Sequence, residues 1–327
     1  MENFDSLIKS LGFKLCKNSC KYPSIGSTFC IHNEDMDGLY WYYETDSFII
    51  NIHDFFIKKE FLINFTSDMS HLFSLSSSYI ISGNGEGFSP YQYLTSHTLY
   101  VVDTSKNKNC RFLMHANFPF LSVGITFKDK IFKDYVENHN EIKNIDICEI
   151  FYDTRERIIK PLEKISNEIL NCNMNSPALE IFFESKAKEW FSIIIDSCLN
   201  KIEKKAISKV DDEAIENVAN YINDHYSFDL SQELLEKIAM MSGTKMKNLF
   251  KQKYNMSITE YTQRKRMNIA ETLLLTTSLE IGDVAKAVGY SSHSKFTTYF
   301  KKYKGFYPKD VKKLSSKKQD YSYDCKK

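Results

Sequence analysis

The sequence contains no run of 18 or more apolar residues, and its N-terminus lacks a basic segment followed by an apolar one. The first absence argues against a transmembrane helix, and the second argues against a secretory leader. The eight cysteines are scattered along 327 residues without the spacing of a disulfide scaffold. We therefore expect a cytoplasmic protein with reduced thiols and without a membrane partner.

Excess charge of either sign is absent overall, since the net charge is only +1, but the basic residues are unevenly distributed. Between Lys237 and Lys318 there are 18 Lys and Arg against 5 Asp and Glu, whereas the rest of the chain has 25 against 37. A basic block of this kind is typical of a surface that binds nucleic-acid phosphates. The alternative interpretation is a set of solvated lysines on helix faces.

The basic block contains the same helix-turn-helix pattern twice, with Ser242 and Ser292 at equivalent positions 50 residues apart. Each copy has a short amphipathic helix, a tight turn and a second helix that ends in an aromatic residue followed by lysine. Such a helix pair presents its second helix to the major groove of DNA. Between the copies, a capping box at residues 257–260 starts a helix that we predict to run to about Leu275. Its length of ~27 Å approaches one turn of B-DNA, about 34 Å.

The second copy and the helix before it carry a recognisable set of spaced residues. They are Ile281-x-x-Val284-Ala285-x-x-Val288-Gly289-Tyr290, Phe296-x-x-x-Phe300-Lys301, Gly305, Pro308 and, in the preceding helix, Arg266-x-x-x-Ala270-x-x-Leu273-Leu274. This pattern resembles the AraC/XylS family of transcription regulators over roughly residues 213–313. The first copy departs from it, with Glu236 where the family has a small residue and Met240 where the turn has glycine. The run SGTKMKNLFK resembles the branch that includes the pyochelin-responsive regulator, which suggests a siderophore or another aromatic ligand.

Residue-by-residue matching to this family implies which side chains contact DNA. The predicted base contacts are Thr244, Lys247, Asn248, His293, Ser294, Thr297 and Thr298. Their amide, amine, imidazole and hydroxyl groups can form hydrogen bonds with base edges. The second copy has no Arg or Gln on this face, so we expect its recognition of DNA to depend more on DNA shape. The predicted phosphate contacts, which position a protein without specifying sequence, are Ser242, Lys245, Lys251, Arg264, Arg266, Ser292, Lys295, Lys301 and Lys302. The phenylalanines at helical spacing, Phe250, Phe296 and Phe300, are expected to pack in the core instead.

The first half of the chain shows β-like patterning from Gly38 to about Phe127, followed by helical periodicity. We predict an α+β protein, with an N-terminal cupin- or jelly-roll-like β-barrel and following helices, then an all-α domain with two helix-turn-helix units. The expected parts are a β-rich effector-binding domain at 1–150, a helical dimerisation segment at 151–204, a linker at 205–212, an AraC-type double helix-turn-helix domain at 213–313 and a flexible tail at 314–327.

The resemblance implies a ligand-responsive regulator that binds promoter DNA as a homodimer, with a small-molecule effector of unknown identity, RNA polymerase as a further partner, and no cofactor. Two alternatives for the N-terminal domain stay open, a dimerisation-only module and a cupin-type metal enzyme. Neither Cys16-x-x-x-Cys20 nor the dispersed histidines have the close ligand pairs of a zinc or cupin site. The glycine-rich stretch 83–87 lacks the Lys-Ser/Thr of a phosphate loop and is predicted to be a hairpin turn. No nucleophile and base are arranged for catalysis, so we expect no enzyme.

Overall fold

A computed structural model describes residues 3–16, 21–65, 72, 74–88, 90–103, 110–140, 142–155, 158–203, 207–304 and 307–316. The chain divides into two compact units, one within residues 1–204 and the other within residues 205–320. Several features discussed above fall outside the described residues. They are Cys20, His71, Gly305, residues 205–206 of the predicted linker and residues 317–327 of the predicted tail.

The described part of the N-terminal unit contains eleven strands. They are β1 (Lys14–Leu15), β2 (Ser27–His32), β3 (Met36–Glu44), β4 (Phe48–Ile57), β5 (Phe61–Phe65), β6 (Leu75–Ser82), β7 (Gly85–Phe88), β8 (Tyr91–Tyr93), β9 (Thr98–Asp103), β10 (Cys110–Met114) and β11 (Phe118–Phe127). They form a seven-stranded sheet in the order β1-β2-β3-β4-β11-β6-β9 and a four-stranded sheet in the order β5-β10-β7-β8.

Every pair of neighbouring strands in both sheets is antiparallel. The predicted α+β class and the jelly-roll-like arrangement are confirmed, although the strands lie in two separate sheets and do not close into one barrel. The prediction of a hairpin turn at residues 83–87 is wrong, because Gly85–Phe88 pairs with β10 on one side and β8 on the other. Glycine is uncommon in strands, so the local sequence concealed this one.

The larger sheet is buried on both faces, which explains why its strands read as nearly continuous apolar runs. Successive side chains of a strand point to opposite faces. In β3, Tyr40 accordingly belongs to a cluster between the two sheets, whereas Trp41 belongs to a cluster shared with the helices that follow. On that second face, the indole nitrogen of the fully buried Trp190 donates a hydrogen bond of 3.0 Å to Ser77 Oγ.

The helices of the N-terminal unit are α1 (Phe4–Ser10), α2 (Asp129–Phe132), which continues as a π-helical turn at Lys133–Glu137, α3 (Ile147–Thr154), α4 (Ile159–Leu170) and α5 (Ala178–Glu203). The apolar periodicity of residues 154–170 predicts one amphipathic helix. The structure instead ends one helix at Thr154 and begins the next at Ile159. No helix in the described ranges combines the length and apolar character needed to cross a bilayer.

The C-terminal unit is entirely helical in its described part. Its elements are α6 (Lys209–His225), α7 (Gln232–Ala239), α8 (Gly243–Tyr254), α9 (Ile258–Thr276), α10 (Ile281–Ala287), α11 (His293–Lys304) and α12 (Pro308–Ser316). The helices α8 and α11 each have 12 residues and begin 50 positions apart, which confirms the repeat. The long central helix α9 extends to Thr276, one residue beyond the predicted end.

Each helix-turn-helix copy has its own core, and α9 contributes to both. The first core centres on Met246 and Phe250 of α8, and the second on Phe296 and Phe300 of α11, all four fully buried. Helix α6 begins inside the predicted linker. Aspartate is a favoured capping residue, so the sequence predicts Asp211 or Asp212 as the cap of this helix, and that prediction is wrong. The side chain of Ser208 accepts the capping hydrogen bond from the Asp211 backbone N–H.

Candidate nucleic-acid interface and cavity

The helices α8 and α11 present equivalent polar faces to solvent. Ser242 and Ser292 precede them, and each serine Oγ accepts a hydrogen bond from the backbone N–H three residues later. The apolar stripes of both helices point into their cores. The opposite faces therefore expose most of the predicted base-contacting residues, namely Thr244, Lys247, Asn248, His293, Ser294 and Thr298.

Thr297 differs from the rest of this set. It is partly buried, and its Oγ1 is enclosed without a hydrogen-bond partner in the described part of the protein. A base contact by Thr297 through its hydroxyl would need a side-chain rotation.

Lys247 is held in place by a small polar network that the sequence did not reveal. Its Nζ donates to Gln232 Oε1, and Gln232 Nε2 in turn donates to Glu236 Oε1 at 2.6 Å. Glu236, which stands where the family has a small residue, thus has a hydrogen-bond partner. The carboxylate fits because Gly243 has no side chain, and a Cβ there would lie 2.1 Å from Glu236 Oε1. This arrangement places a negative charge beside the N-terminal end of α8, which the helix dipole favours.

Each helix-turn-helix copy has one residue with a left-handed backbone conformation in its turn, and the two residues are of different types. Gly289 has φ +84°, a conformation that glycine adopts without a steric penalty. Met240 occupies the corresponding turn of the first copy with φ 51°, and its side chain is 92% exposed. Its backbone is strained without a compensating contact from its side chain.

Replacing Met240 with glycine should therefore stabilise the C-terminal unit by about 0.5–1 kcal/mol. Urea unfolding followed by far-ultraviolet circular dichroism measures this change. Lys237→Gly, within helix α7, is the matched control and should destabilise by about 1 kcal/mol. A Met240→Gly variant that loses stability would show that the turn does not need the left-handed conformation.

The predicted phosphate-contacting lysines fall into two groups. Lys251 and Lys295 are exposed and have no acidic partner within the described residues. Lys245 instead donates to Asp211 at 2.7 Å, and this hydrogen bond holds the pKa of the Asp211 carboxyl below its ordinary value. Among the remaining cations, Lys301 bonds to the Tyr307 hydroxyl at 2.7 Å and Arg264 pairs with Glu260 of the same helix at 3.3 Å. The exposed pairs are weak, so DNA phosphates can replace them at little cost.

Arg266 makes hydrogen bonds within the C-terminal unit. Its guanidinium donates to the backbone carbonyls of Tyr226 at 2.6 Å and Phe228 at 2.8 Å, and to that of Gly289 at 3.4 Å. The first two carbonyls follow α6, and the third lies in the turn of the second copy. A Cβ on Gly289 would lie 2.3 Å from the Ser227 carbonyl oxygen, so these two backbone segments are in direct contact. We call this contact region, formed by residues 226–228, Arg266 and Gly289, the junction.

A buried ion pair lies inside the second copy. Lys304 Nζ is 2.7 Å from Glu271 Oε2 and 2.8 Å from Asn268 Oδ1, and the lysine side chain is 1% exposed. The pair joins the last residue of α11 to α9. Lys304 belongs to the basic block of the sequence, but its charge is paired within the protein.

The N-terminal unit contains a cavity of about 480 Å³ between its two sheets. This volume is within the usual range of small-molecule sites. Its walls are mainly apolar and include residues of α1 and of both sheets, such as Phe4, Leu7, Phe55, Phe112, Met114 and Phe120.

One wall of the cavity is polar, where β4, β11 and β6 are adjacent in the larger sheet. Its residues, which we call the polar wall, are Asn51, His53, Ser76, Ser78, Ser122 and Thr126. Ser76 and Thr126 share a hydrogen bond of 2.9 Å, as do Ser122 Oγ and His53 Nδ1 at 3.1 Å. Burial lowers the pKa of His53 to about 4, so the imidazole is neutral at neutral pH.

Few side chains of the types that bind metal ions lie close to one another in the described part of the protein. Within the described residues, the one group close enough to hold an ion is Asp103, Asp146 and Cys148. None of these lines the cavity, and His53 is the one histidine among the cavity residues. The clustering of histidines that a cupin-type metal enzyme requires is therefore not found in the described part of the cavity.

Comparison with known proteins agrees with this geometry. A family model described as a helix-turn-helix domain matches residues 235–313. The bifunctional transcriptional activator/DNA repair enzyme AdaA of Bacillus subtilis (strain 168) is 30% identical over 112 residues, which are 34% of this chain and 53% of that protein. The transcriptional activator RhaR of Mannheimia succiniciproducens is 27% identical over 174 residues, which are 53% of this chain and 59% of that protein.

The matched segments thus span little more than half the length of these relatives. Among solved structures, the C-terminal domain of the two-component response regulator yesN from Fusobacterium nucleatum matches with 31% identity and a TM-score of 0.29, covering 31% of this chain and 98% of that one. The arabinose operon regulatory protein of Escherichia coli (strain K12) is 27% identical over 104 residues, which are 31% of this chain and 35% of that protein. Residues 235–313 therefore form a helix-turn-helix domain that is similar to those of AraC/XylS-family transcription regulators.

Proposed function

We propose that the whole protein is a sequence-specific transcription regulator in which α8 and α11 read two successive major grooves of promoter DNA. The observation that carries this proposal is the pair of equivalent polar helix faces, 50 residues apart, on one helical unit. Helix α9 has 19 residues, which at 1.5 Å each gives a length of roughly 28 Å. That length approaches the helical repeat of B-DNA, so both helices can engage one face of the duplex.

The second part of the proposal is that a small molecule in the N-terminal cavity controls DNA binding. The cavity supports this part, because a domain that served only as a dimerisation module would need no interior space of about 480 Å³. A ligand shifts the population of DNA-binding molecules only if it binds the competent state more tightly. We further propose a homodimer, with RNA polymerase as a partner at the promoter.

Substitutions on the two reading helices should weaken specific binding separately. Lys247→Ala/Asn248→Ala and His293→Ala/Thr298→Ala are each expected to lose ~1–3 kcal/mol for every good base contact removed. Fluorescence anisotropy measures the affinity for the DNA upstream of the protein's own gene, across a salt series and against competitor DNA. The double variant Asn217→Ala/Asn220→Ala, exposed on α6, is the control and should bind as the unaltered protein does.

Two results would contradict the proposal. Binding that depends on salt but not on DNA sequence would show that the helices contact only phosphates. Loss of affinity in one double variant alone would show that a single helix reads bases.

A further inference from the structure

His53 lies on the cavity side of the larger sheet, on its central strand β4. It pairs with Tyr40 of β3 on one side and with Ser122 of β11 on the other. Its ring meets those of Phe55 and Phe120 edge-on, at centroid distances of 5.7 and 6.2 Å. Side chains stand roughly perpendicular to a sheet, so the outer end of the imidazole points into the cavity between the two sheets.

The hydrogen bond to Ser122 determines which nitrogen of His53 carries the proton. Ser122 is 1% exposed, and within the described residues its hydroxyl forms one hydrogen bond, to Nδ1 of His53 at 3.1 Å. A buried hydroxyl hydrogen without an acceptor costs about 1–3 kcal/mol, so the serine donates and Nδ1 accepts. Because burial lowers the pKa of His53, the ring is neutral and carries its one proton on Nε2.

Two hydrogen-bond donors on the cavity side, His53 Nε2 and the Tyr40 hydroxyl, have no acceptor in the described part of the protein. Asn51 Oδ1 is enclosed without a partner, whereas neither of these two atoms is enclosed in this way. Tyr40 is only 4% exposed, and its ring lies 4.8 Å from that of His53, centroid to centroid. Burial raises the pKa of Tyr40, so its hydroxyl keeps the proton and stays a donor.

A pair of neighbouring donors defines what a ligand has to supply. A carbonyl oxygen has two lone pairs and can accept a hydrogen bond from both. The Asp35 carboxylate, which also lines the cavity, makes no hydrogen bond to either donor. The side chains packed around the pair are aromatic, which favours an apolar body for the rest of the ligand. They include Phe4, Phe13, Phe55 and Phe120.

We propose that the cavity binds a largely apolar molecule through a carbonyl oxygen, which accepts hydrogen bonds from His53 Nε2 and from the Tyr40 hydroxyl. This inference rests on the proposed function, of which it names the effector class. Ketones, aldehydes and esters share the required acceptor, whereas a hydrocarbon of the same shape lacks it.

Two molecules of nearly the same shape test the proposal on the full-length protein, para-acetylbiphenyl and para-isopropylbiphenyl. Equilibrium dialysis gives the Kd of each and suits poorly soluble ligands. The readout is the ratio of the two Kd values, because a change in packing or in cavity volume affects both molecules alike. The unaltered protein should bind the ketone, and absence of binding up to its solubility limit overturns the proposal.

Replacing the donors should change this ratio. His53→Phe should weaken binding of the ketone relative to the hydrocarbon about tenfold, the difference that one buried hydrogen bond makes. Tyr40→Phe, which removes one hydroxyl and keeps the ring, should weaken it severalfold. Tyr93→Phe is the matched control and should leave the ratio unchanged, because Tyr93 is 60% exposed and lies outside the cavity. A ratio that survives in both His53→Phe and Tyr40→Phe overturns the proposal.

Infrared spectroscopy tests the hydrogen bond directly in the unaltered protein. The carbonyl stretch of isotope-labelled para-acetylbiphenyl should lie at a lower frequency in the complex than in hexane, because accepting a hydrogen bond weakens the C=O bond. Ser122→Ala lets Nδ1 carry the proton in place of Nε2, so it should move the band part of the way back. A band at the hexane frequency in the unaltered protein contradicts the proposal, whether or not the variants fold.

Promoter binding separates this inference from the proposed function. Fluorescence anisotropy with promoter DNA is repeated at saturating para-acetylbiphenyl. If the ratio and the band behave as expected while DNA affinity stays unchanged, the ligand class is confirmed and ligand control is contradicted. If DNA affinity changes while the ratio survives in both variants, ligand control is supported and the carbonyl site is wrong.

Discussion

Replacing Glu271 with alanine should lower the free energy of unfolding of the C-terminal unit by about 3–5 kcal/mol. Lys304 is almost completely buried, and Glu271 is the acidic partner that the structure shows at 2.7 Å. Removing this carboxylate takes away the acidic partner that the structure shows for a buried ammonium group, which is far more costly than the loss of an exposed ion pair. The loss would be comparable to much of the stability of a small domain.

The measurement can separate the two units. Both tryptophans, Trp41 and Trp190, lie in the N-terminal unit, so tryptophan fluorescence follows that unit alone. Circular dichroism follows the helices of the C-terminal unit as well. The double variant Glu271→Leu/Lys304→Met should restore most of the lost stability, because apolar replacements of a buried pair are often neutral. The exposed pair Lys286–Asp283 supplies the matched control, since Asp283→Ala should change stability by less than about 0.5 kcal/mol.

A loss below about 1 kcal/mol in Glu271→Ala would mean that Lys304 reaches solvent and that the pair is not a structural element. A loss confined to Glu271→Ala and absent in the double variant would instead identify the buried charge itself as the cause. The cycle therefore distinguishes the cost of removing the carboxylate beside a buried lysine from the loss of packing.

Replacing Arg266 with methionine should destabilise the C-terminal unit by about 2–4 kcal/mol. Three backbone carbonyls lose their donor, and hydrogen bonds to charged groups contribute ~1.5–3 kcal/mol each in favourable cases. Two of these carbonyls belong to the segment after α6 and one to the turn of the second copy. Specific DNA affinity should also fall, because α8 and α11, which we propose to read DNA, lose part of the contact between the two helix-turn-helix copies.

This variant also tests the prediction that Arg266 contacts a DNA phosphate. If that role dominates, Arg266→Met will reduce DNA affinity and the salt dependence of binding while stability stays within about 0.5 kcal/mol of the unaltered protein. Arg264→Met is the matched control for stability, because Arg264 makes an ion pair with Glu260 one turn away on the same helix. Its effect on unfolding should stay below about 1 kcal/mol.

The junction and the buried ion pair have one consequence in common. Each joins α9 to another part of the C-terminal unit, the first near Gly289 and the second at the end of α11. A rigid connection of this kind matters for reading DNA, because base contacts require the two helices to stay in register with the major groove. We expect substitutions at either place to weaken specific binding more than non-specific binding.

Sequence alone determined the plan of the C-terminal unit. Serine caps, apolar periodicity and left-handed turn positions are local signals, and they placed α7 to α11 within a few residues of their observed bounds. The same signals assigned Phe250, Phe296 and Phe300 correctly to the core. They were weaker in the N-terminal unit, where short strands such as β7 contain glycines and resemble turns.

Tertiary structure decided which polar residues face DNA, a cavity or the protein interior. Lys304 and Arg266 read as exposed cations in the sequence, but the partners that engage them lie 23 to 40 positions away along the chain. The polar wall likewise forms only where β4, β11 and β6 become neighbours, so the unsatisfied oxygen of Asn51 has no local signature. Helix and turn positions follow from the conformational preferences of adjacent residues, whereas burial and charge pairing depend on contacts between distant segments, which one sequence does not specify.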